Sequence, residues 1–261
     1  MGLTKVASTF LQKEIFPHIE GIQFHRKRDF EEFRTLKDIT LDKSHLFSSE
    51  KDKRIEDIVD EILNYLPDAR FILIVRRHDQ WIFSRYKYYI RKHGWKSFEE
   101  FFDLESDNGI WKKDDLLLRK KIEHIEKKCM HPPLILTHDL LNSDPDRFLQ
   151  KLCNYLNGSL QPVARKNAIV NRAFSEKQLI VLRKFNGIKP YEEIRSPSRI
   201  LNRMHYRYRQ FLLHIVAFFA LFFPRFLMKR NSLLNDPELL DHVRDYFNDD
   251  WQFCVDYTGK S

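Results

Sequence analysis

Residues 70–94, RFILIVRRHDQWIFSRYKYYIRKHG, decide the fold that this sequence predicts. The segment opens with a continuous apolar run, which is typical of a strand buried on both faces of a parallel sheet. The run ends at Arg76 and Arg77, and an aromatic and basic helix is predicted from about Asp79 to His93. The segment therefore predicts a buried strand that leads through a basic turn directly into a helix.

The segments around it continue this alternation of helix and strand. Apolar residues at helical spacing predict a helix over 55–66. A second helix is predicted over 114–127, a second buried strand over 133–139, and a helix capped by Asp144 after it. This order predicts an α/β fold, a three-layer α/β/α arrangement with a central parallel sheet, in a single domain over 1–261.

The composition is that of a folded chain with an excess of positive charge. Hydrophobic residues make up 43% and charged residues 31% of the 261 residues, which excludes an intrinsically disordered chain. The formal net charge of +8 favours anionic partners such as phosphate-bearing ligands or membrane surfaces. Because RNA-binding, zinc-finger and Lys/Arg-block signatures are absent from the sequence, we do not expect a nucleic-acid partner.

The cysteines predict a reducing compartment. Cys129, Cys153 and Cys254 form no C-x-x-C pair, and their odd number does not suit a disulfide framework or a zinc site. The N-terminus is polar and mixed, which predicts no signal peptide. We therefore expect a cytoplasmic protein that needs no metal.

Residues 199–230 are basic, then apolar, then basic. The apolar run from Phe211 to Phe223 is shorter than the ~20 residues that a membrane-spanning helix needs. Two interpretations stay open. A buried helical hairpin that packs on the sheet is favoured, and peripheral contact with a membrane surface is the alternative.

The first residues, MGLTKVASTFLQ, carry a lysine and two hydroxyl groups at the predicted start of a short helix over 8–19. Lys5 lies just before Ser8 and Thr9, so a mobile cation, two hydroxyls and backbone N–H groups converge near the positive end of the helix dipole. This arrangement outlines an anion site, and an ordinary helix cap beside a solvated lysine is the alternative. The order of residues is not that of a Walker A loop.

These two segments together resemble the cofactor loops of one enzyme family. GLTKVASTFLQKEIFP resembles the 5′-phosphosulfate loop of bacterial-type P-loop sulfotransferases, which use 3′-phosphoadenosine 5′-phosphosulfate (PAPS). Residues 69–94 resemble the family's 3′-phosphate segment, in which a strand-end arginine is followed eight residues later by a serine, as Arg76 is by Ser84. Weaker similarity over 135–158 and 239–259 extends the resemblance across most of the chain.

The resemblance implies a P-loop NTPase-like sulfotransferase fold. It also implies an enzyme that moves a sulfuryl group from PAPS to an acceptor hydroxyl, of a carbohydrate or a glycolipid. Lys5 would neutralise the bridging oxygen as its bond to sulfur breaks, the loop after Lys5 would hold the 5′-phosphate, and Arg76 with Ser84 would hold the 3′-phosphate. The implied cofactor-binding residues are Lys5, Ala7, Ser8, Thr9, Arg76 and Ser84.

The resemblance further implies a general base that takes the proton of the acceptor. In this family a histidine or a carboxylate after the first helix serves as the base. Here the leading candidate is His25, within a stretch over 20–50 that is predicted to be mainly loop. His45 is the second candidate, and Glu31 and Glu32 are further alternatives. The acceptor, a small molecule or a glycan, and the oligomeric state do not follow from the sequence.

Three residues depart from the family's usual pattern. Thr4 stands where proline is common, Ala7 where glycine is usual, and His138 where tyrosine or glutamate is usual. An alanine at a site that needs a positive φ would cost about 1 kcal/mol. The strand that precedes the loop in the family is not visible before Gly2, so we expect a fold whose first strand is truncated or replaced by another element.

Two other functions stay open. The first is a P-loop nucleotide kinase or NTPase, although Arg76 stands at the strand end where a magnesium-binding enzyme more often places aspartate. The second is a non-catalytic peripheral membrane protein with a degenerate nucleotide cleft. Ala7 and the missing first strand favour this second function.

Overall fold

The computed structural model describes residues 10–25, 44–47, 54–161, 174–190, 198–222, 232–234, 236 and 238–260. These residues form two compact units. The first unit takes its described residues from 1–81, 116–170 and 244–261, and the second from 82–115 and 171–243. The prediction of a single domain stays a prediction.

The described residues are mostly helical. Two short turns come first, a π-helical turn at Leu11–Ile15 and a 3₁₀ turn at Phe16–His18. The α-helices, in chain order, are α1 (Ile55–Tyr65), α2 (His78–Arg91), α3 (Phe98–Phe101), α4 (Lys113–Leu116), α5 (Leu118–Lys128), α6 (His138–Ser143), α7 (Pro145–Leu156), α8 (Glu176–Ile188), α9 (Arg199–Ala220), α10 (Leu239–Tyr246) and α11 (Asn248–Lys260). The strands are β1 (Ile19–Glu20), β2 (Ile22–His25), β3 (Ser44–Phe47), β4 (Ile72–Val75), β5 (Leu134–Thr137) and β6 (Ser159–Leu160).

The strands pair only in twos within the described part of the chain. β1 pairs antiparallel with β6, while β2 with β3 and β4 with β5 form parallel pairs. The predicted three-layer α/β/α fold with a central parallel sheet is therefore wrong, and so is the P-loop NTPase-like sulfotransferase fold. A wider sheet needs further long apolar runs to supply strands, and the long run that starts at Phe211 lies in α9 instead.

The two buried strands that the sequence predicts are confirmed. β4 and β5 are buried at every residue, and they pair in register from Ile72 with Leu134 to Val75 with Thr137. Their carboxyl ends therefore lie side by side. Helix α2 begins three residues after β4, and α6 follows β5 directly.

Helices α1, α5 and α11 pack against this strand pair in the first unit. The core is formed by Ile55, Val59, Phe71, Leu73, Val75, Leu118, Ile122, Ile125, Ile135 and Cys254. Helix α1 confirms the helix predicted over 55–66 to within one residue. The helix predicted over 114–127 is divided into α4 and α5, because Leu117 between them adopts an extended backbone with ψ 112°.

Helix α7 begins and ends as the sequence predicts. At its start, Asp144 Oδ1 accepts a hydrogen bond from the backbone N–H of Arg147 at 3.0 Å. At its end, Asn157 adopts a left-handed backbone with φ 54°, and Gly158 follows. A side chain at Gly158 would place its Cβ 2.8 Å from the carbonyl oxygen of Glu20, so the approach of β1 to β6 requires glycine there.

The N-terminal region differs from the prediction. The π-helical and 3₁₀ turns, which end at His18, replace the helix predicted over 8–19, and residues 1–9 lie outside the described residues. The stretch over 20–50, predicted as mainly loop, contains β2 and β3. Each of these strands is four residues long and mixes polar with apolar side chains, so its pattern does not stand out from that of a loop.

The second unit contains α2 from Ile82 onward, α3, α4 as far as Asp115, α8, α9, and α10 as far as Val243. Tyr86 lies in its core, with its ring centroid 5.2 Å from that of Phe98 and 5.4 Å from that of Phe101. Helices α8 and α9 pack against each other along much of their length. Among the described helices of the second unit, α8 and α9 make the most extensive contact.

The basic and apolar segment over 199–230 forms α9 as far as Ala220. Residues 223–231, which would supply the second arm of the predicted hairpin, lie outside the described residues. Among the helices of the described ranges, none combines the length and the apolar character needed to cross a membrane.

Candidate functional site

Polar side chains gather at the carboxyl ends of β4 and β5. Because Val75 and Thr137 are paired, the residues that follow them, Arg76 and His138, leave the strand pair at the same edge. We call Arg76, Gln80, His138 and Asp139 the strand-end cluster. All four side chains are half-buried and belong to the first unit.

Arg76 is the cation of the cluster. Its Nε donates a hydrogen bond to Gln80 Oε1 at 3.2 Å, across the first turn of α2. Burial lowers the pKa of Arg76, while the nearby carboxylates of Asp139 and Asp79 act in the opposite direction. Arginine stays protonated at neutral pH in this setting because its ordinary pKa is far above neutral pH. The cluster therefore presents a partly desolvated positive charge.

The neighbouring Arg77 has a different environment. Its guanidinium forms a bidentate ion pair with Asp79, with Nε 2.8 Å from Oδ1 and Nη2 3.0 Å from Oδ2. Such a fork-to-fork pair neutralises the charge locally. Arg76 donates instead to the neutral amide of Gln80, and the carboxylates of Asp139 and Asp79 also lie near its guanidinium.

His138 stands beside this cation as a neutral ring. Its Nδ1 accepts a hydrogen bond from the Asn142 amide at 3.1 Å, which leaves the proton of the neutral imidazole on Nε2. Burial and the charge of Arg76 lower the pKa of His138. At neutral pH it is therefore an uncharged hydrogen-bond donor. Thr137 fixes its backbone, since Thr137 Oγ1 caps α6 by accepting from the N–H of Leu140 at 3.1 Å.

A buried pair holds the start of α2 in place. His78, the first residue of α2, lies with Nε2 2.9 Å from Asp250 Oδ2, and its ring stacks on Phe247 at a centroid distance of 4.6 Å. Asp250 also accepts from the backbone N–H groups of Leu118 and Arg119, at 2.8 and 3.0 Å. Burial opposes ionisation of Asp250, but these hydrogen bonds together lower its pKa. This network joins the starts of α2 and α5, and it thereby fixes the segment that carries Arg76.

Ser84, the predicted partner of Arg76, lies within α2. It is half-buried and follows Gln80 by four residues, the spacing that places two residues on the same side of a helix. Arg76 lies in the first unit and Ser84 in the second.

The predicted 5′-phosphate loop is not tested by the structure. Lys5, Ala7, Ser8 and Thr9 lie outside the described residues. The proposed roles of these residues rest on the sequence alone.

The two candidate bases belong to paired strands. His25 ends β2 and His45 lies in β3, and the register pairs His25 with Phe47 and Gln23 with His45. On the paired strands, the position of His25 is therefore offset by two residues from the position that pairs with His45. The further candidates, Glu31 and Glu32, lie outside the described residues.

Sequence reasoning missed Gln80 and Asp250. Gln80 follows Arg76 by four residues at a junction of strand and helix, and this spacing could have pointed to it. Asp250 is 172 residues from His78, so no local pattern links the two. Among the residues that the structure covers, no group of three or more His, Cys, Asp or Glu side chains could hold a metal ion, and the expectation of a metal-free reaction stays a prediction.

Comparisons of the chain with protein-family models, with curated proteins and with solved structures found no match.

Proposed function

We propose that this chain is a PAPS-dependent sulfotransferase that moves a sulfuryl group to an acceptor hydroxyl of a carbohydrate or a glycolipid. The observation that carries the proposal is Arg76, a half-buried cation at the carboxyl end of the buried strand β4 and next to the start of α2. The proposal rests on this local strand and helix, together with the sequence resemblance. It does not require a wider sheet.

The surroundings of Arg76 suit a phosphate group. A guanidinium offers two parallel N–H donors to phosphate oxygens, and partial burial strengthens such hydrogen bonds because less water competes for them. The first turn of α2 adds the positive end of a helix dipole. His138 adds a neutral donor beside the cation. The positive charge that faces the phosphate at the carboxyl ends of β4 and β5 then comes from protein groups.

The 3′-phosphate is the group that separates PAPS from ATP. We assign it to Arg76 and Ser84, on the spacing that the sequence shares with the family's 3′-phosphate segment. Lys5, Ser8, Thr9 and the backbone around Ala7 would hold the 5′-phosphosulfate end.

The reaction needs one proton transfer and one displacement. The acceptor oxygen attacks the sulfur, the bond from sulfur to the 5′-phosphate oxygen breaks, and adenosine 3′,5′-bisphosphate leaves. A base takes the acceptor's proton, with His25 the leading candidate and His45 the second. Lys5 would stabilise the charge that develops on the leaving oxygen. The protein contributes mainly position and charge, as it does in phosphoryl transfer.

Ligand-dependent melting tests the proposal. Adenosine 3′,5′-bisphosphate at a hundredfold excess over its Kd should stabilise the chain by about 2.7 kcal/mol, whereas Mg-ATP should produce a much smaller shift. Arg76→Gln should abolish the shift. Arg70→Gln is the matched control, because Arg70 is an exposed arginine at the other end of the same strand.

Each outcome has one meaning in this experiment. A shift with the bisphosphate that Arg76→Gln removes and Arg70→Gln keeps supports the proposed site. A shift with Mg-ATP alone would replace the proposal with a nucleotide kinase or NTPase. Transfer from radiolabelled PAPS to a panel of glycans and phenols then identifies the acceptor, and Lys5→Ala should lose that transfer.

A further inference from the structure

Helix α9 has one buried face and one exposed apolar face. Arg209, Leu213, Ala217 and Ala220 point into the second unit and are buried. The opposite side carries large apolar side chains that are each more than half exposed. We call this set the apolar face of α9; its members are Leu201, Met204, Tyr208, Phe211 and Phe218 in the helix, and Phe222 in the turn directly after it.

The spacing of these residues makes the face continuous. They recur at intervals of three, four or seven residues, which keeps them on one side of a helix. At 1.5 Å per residue the face runs about 30 Å along the helix. Single exposed apolar side chains are normal on a protein surface, but a contiguous row of this length marks an interaction surface.

Hydrogen bonds from α8 prevent α9 from turning this face inward. Gln178 Nε2 donates to the carbonyl oxygen of Ala217 at 3.0 Å, and Lys177 Nζ donates to that of Leu221 at 2.7 Å. Arg209 Nη2, at the middle of α9, donates to the carbonyl oxygen of Lys189, directly after α8, at 2.5 Å. The second half of α9 is therefore fastened to α8 and to the residue after it, with the apolar face held outward.

The charge of α9 identifies the partner. Its sequence, RILNRMHYRYRQFLLHIVAFFA, contains four arginines and two histidines and no acidic residue. Arg203 and Arg207 are exposed on the flank of the apolar face. Two copies of α9 packed face to face would bring like charges together, which disfavours a second copy as the partner. A surface with an apolar interior and anionic groups at its boundary matches both features.

We propose that the apolar face of α9 lies in the interface of a membrane that contains anionic lipids. The helix would lie parallel to the membrane surface, with its aromatic side chains at the boundary of the acyl chains and with Arg203 and Arg207 near the headgroup phosphates. In this proposal α9 lies on the membrane and does not cross it. The proposal does not rest on sulfuryl transfer, and the two can fail separately.

Vesicle co-sedimentation tests the contact. Wild-type chain should sediment with vesicles of phosphatidylcholine and phosphatidylglycerol, and much less with phosphatidylcholine alone. Replacing both Phe218→Asp and Phe222→Asp should reduce the partition coefficient by about tenfold or more, because two aromatic side chains no longer enter the interface. Ile188→Asp is the matched control, since Ile188 is 85% exposed but lies on α8 outside the apolar face.

A second pair of variants tests the charge without touching the apolar face. Arg203→Gln and Arg207→Gln should each weaken binding to the anionic vesicles by about fivefold, and added salt should weaken the wild type in the same way. Circular dichroism and the melting temperature establish that each variant is folded.

Two results would overturn the proposed membrane contact. Failure of the folded wild type to bind anionic vesicles overturns the proposal, and so does binding that survives both aspartate substitutions. Sedimentation equilibrium without lipid measures whether the chain forms a dimer through this face. A dimer that Phe218→Asp dissociates would assign the apolar face to a second copy of the chain instead.

Discussion

Two arginines, Arg76 and Arg209, differ in burial and in the groups that surround them. Arg209 is 4% exposed, donates to the carbonyl oxygen of Lys189 and to Asn186 Oδ1, and lies 4.7 Å over the ring of Phe185. Arg76 is half-buried at the edge of a strand pair, beside the start of α2. The first arginine is surrounded by the chain's own acceptors, and the second lies beside the amide of Gln80 and near the carboxylates of Asp139 and Asp79.

The two arginines lie near opposite kinds of helix end, and this explains why their surroundings differ. The carbonyl groups at the end of a helix need donors, and Asn186 supplies two after α2, to the oxygens of Ile90 and Gly94 at 2.9 and 3.0 Å. The N–H groups at the start of a helix need acceptors, and an anion is a good one. A buried cation near carbonyl oxygens is therefore structural, whereas we propose that the half-buried Arg76 near the start of α2 binds an anion.

The largest expected effect separates the two arginines by stability. Arg209→Met should destabilise the chain by about 3 kcal/mol, because the carbonyl of Lys189 and the amide of Asn186 lose a buried partner. Arg76→Met should change the free energy of unfolding by less than about 1 kcal/mol. Urea unfolding followed by circular dichroism measures both. Equal destabilisation by the two substitutions would mean that Arg76 is also structural, and the comparison would fail.

The second prediction removes the amide that serves the end of α2. Asn186→Ala should cost about 2 to 3 kcal/mol, since two buried carbonyl groups lose their donor. Asn142→Ala is the control, because Asn142 is exposed and its amide donates to the ring of His138 on α6. The control should cost less than about 1 kcal/mol. A small effect of Asn186→Ala would show that water replaces the amide.

Local sequence patterns predicted part of the fold and of the candidate site. The run from Phe71 to Val75, the capped start at Asp144 and the position of Arg76 at a strand end all come from patterns within about ten residues. Such local patterns predicted β4, β5, α1 and α7 correctly. Local sequence could also place Ser84 in α2, because the helix is continuous through it.

The parts that depend on distant pairing were not predictable. Strand pairing is decided by packing between segments far apart in the chain, so a correct pair of strands was extended into a sheet that the structure does not have. The contact of His78 with Asp250 spans 172 residues and leaves no local pattern. The apolar face of α9 was visible as a hydrophobic run, but which side α8 covers depends on tertiary contacts such as that of Gln178 with Ala217.

The third prediction concerns pH and the region around Arg209. Burial and the nearby charges of Arg209 and Lys92 lower the pKa of His93 to about 4. In the unfolded chain the His93 ring takes up a proton below about pH 6.5, whereas in the folded chain it does so only near pH 4. The contribution of the neutral His93 ring to the free energy of unfolding is therefore fully present above pH 6.5, and it is lost as the pH falls from 6.5 towards 4.

His93→Asn tests this pH dependence. His93 has φ 74°, a left-handed backbone that asparagine adopts readily, so the substitution removes the titrating ring with little strain. Urea unfolding at pH 7 and at pH 4.5 should show a smaller loss of stability in the variant than in the wild type. Parallel losses in both proteins would assign the acid sensitivity to other groups.

The smallest expected effect tests whether Ser84 acts together with Arg76. Ser84→Ala should raise the Kd of adenosine 3′,5′-bisphosphate by about tenfold, the value of one hydrogen bond to a charged group, and should leave stability nearly unchanged because alanine suits a helix. Calorimetric titration with adenosine 5′-monophosphate is the internal control, since that ligand lacks the 3′-phosphate. Ser159→Ala is the matched variant, because the Ser159 hydroxyl already bonds to Glu20 at 2.9 Å. If Ser84→Ala weakens both nucleotides equally, Ser84 does not hold the 3′-phosphate, and Arg76 alone must account for the discrimination.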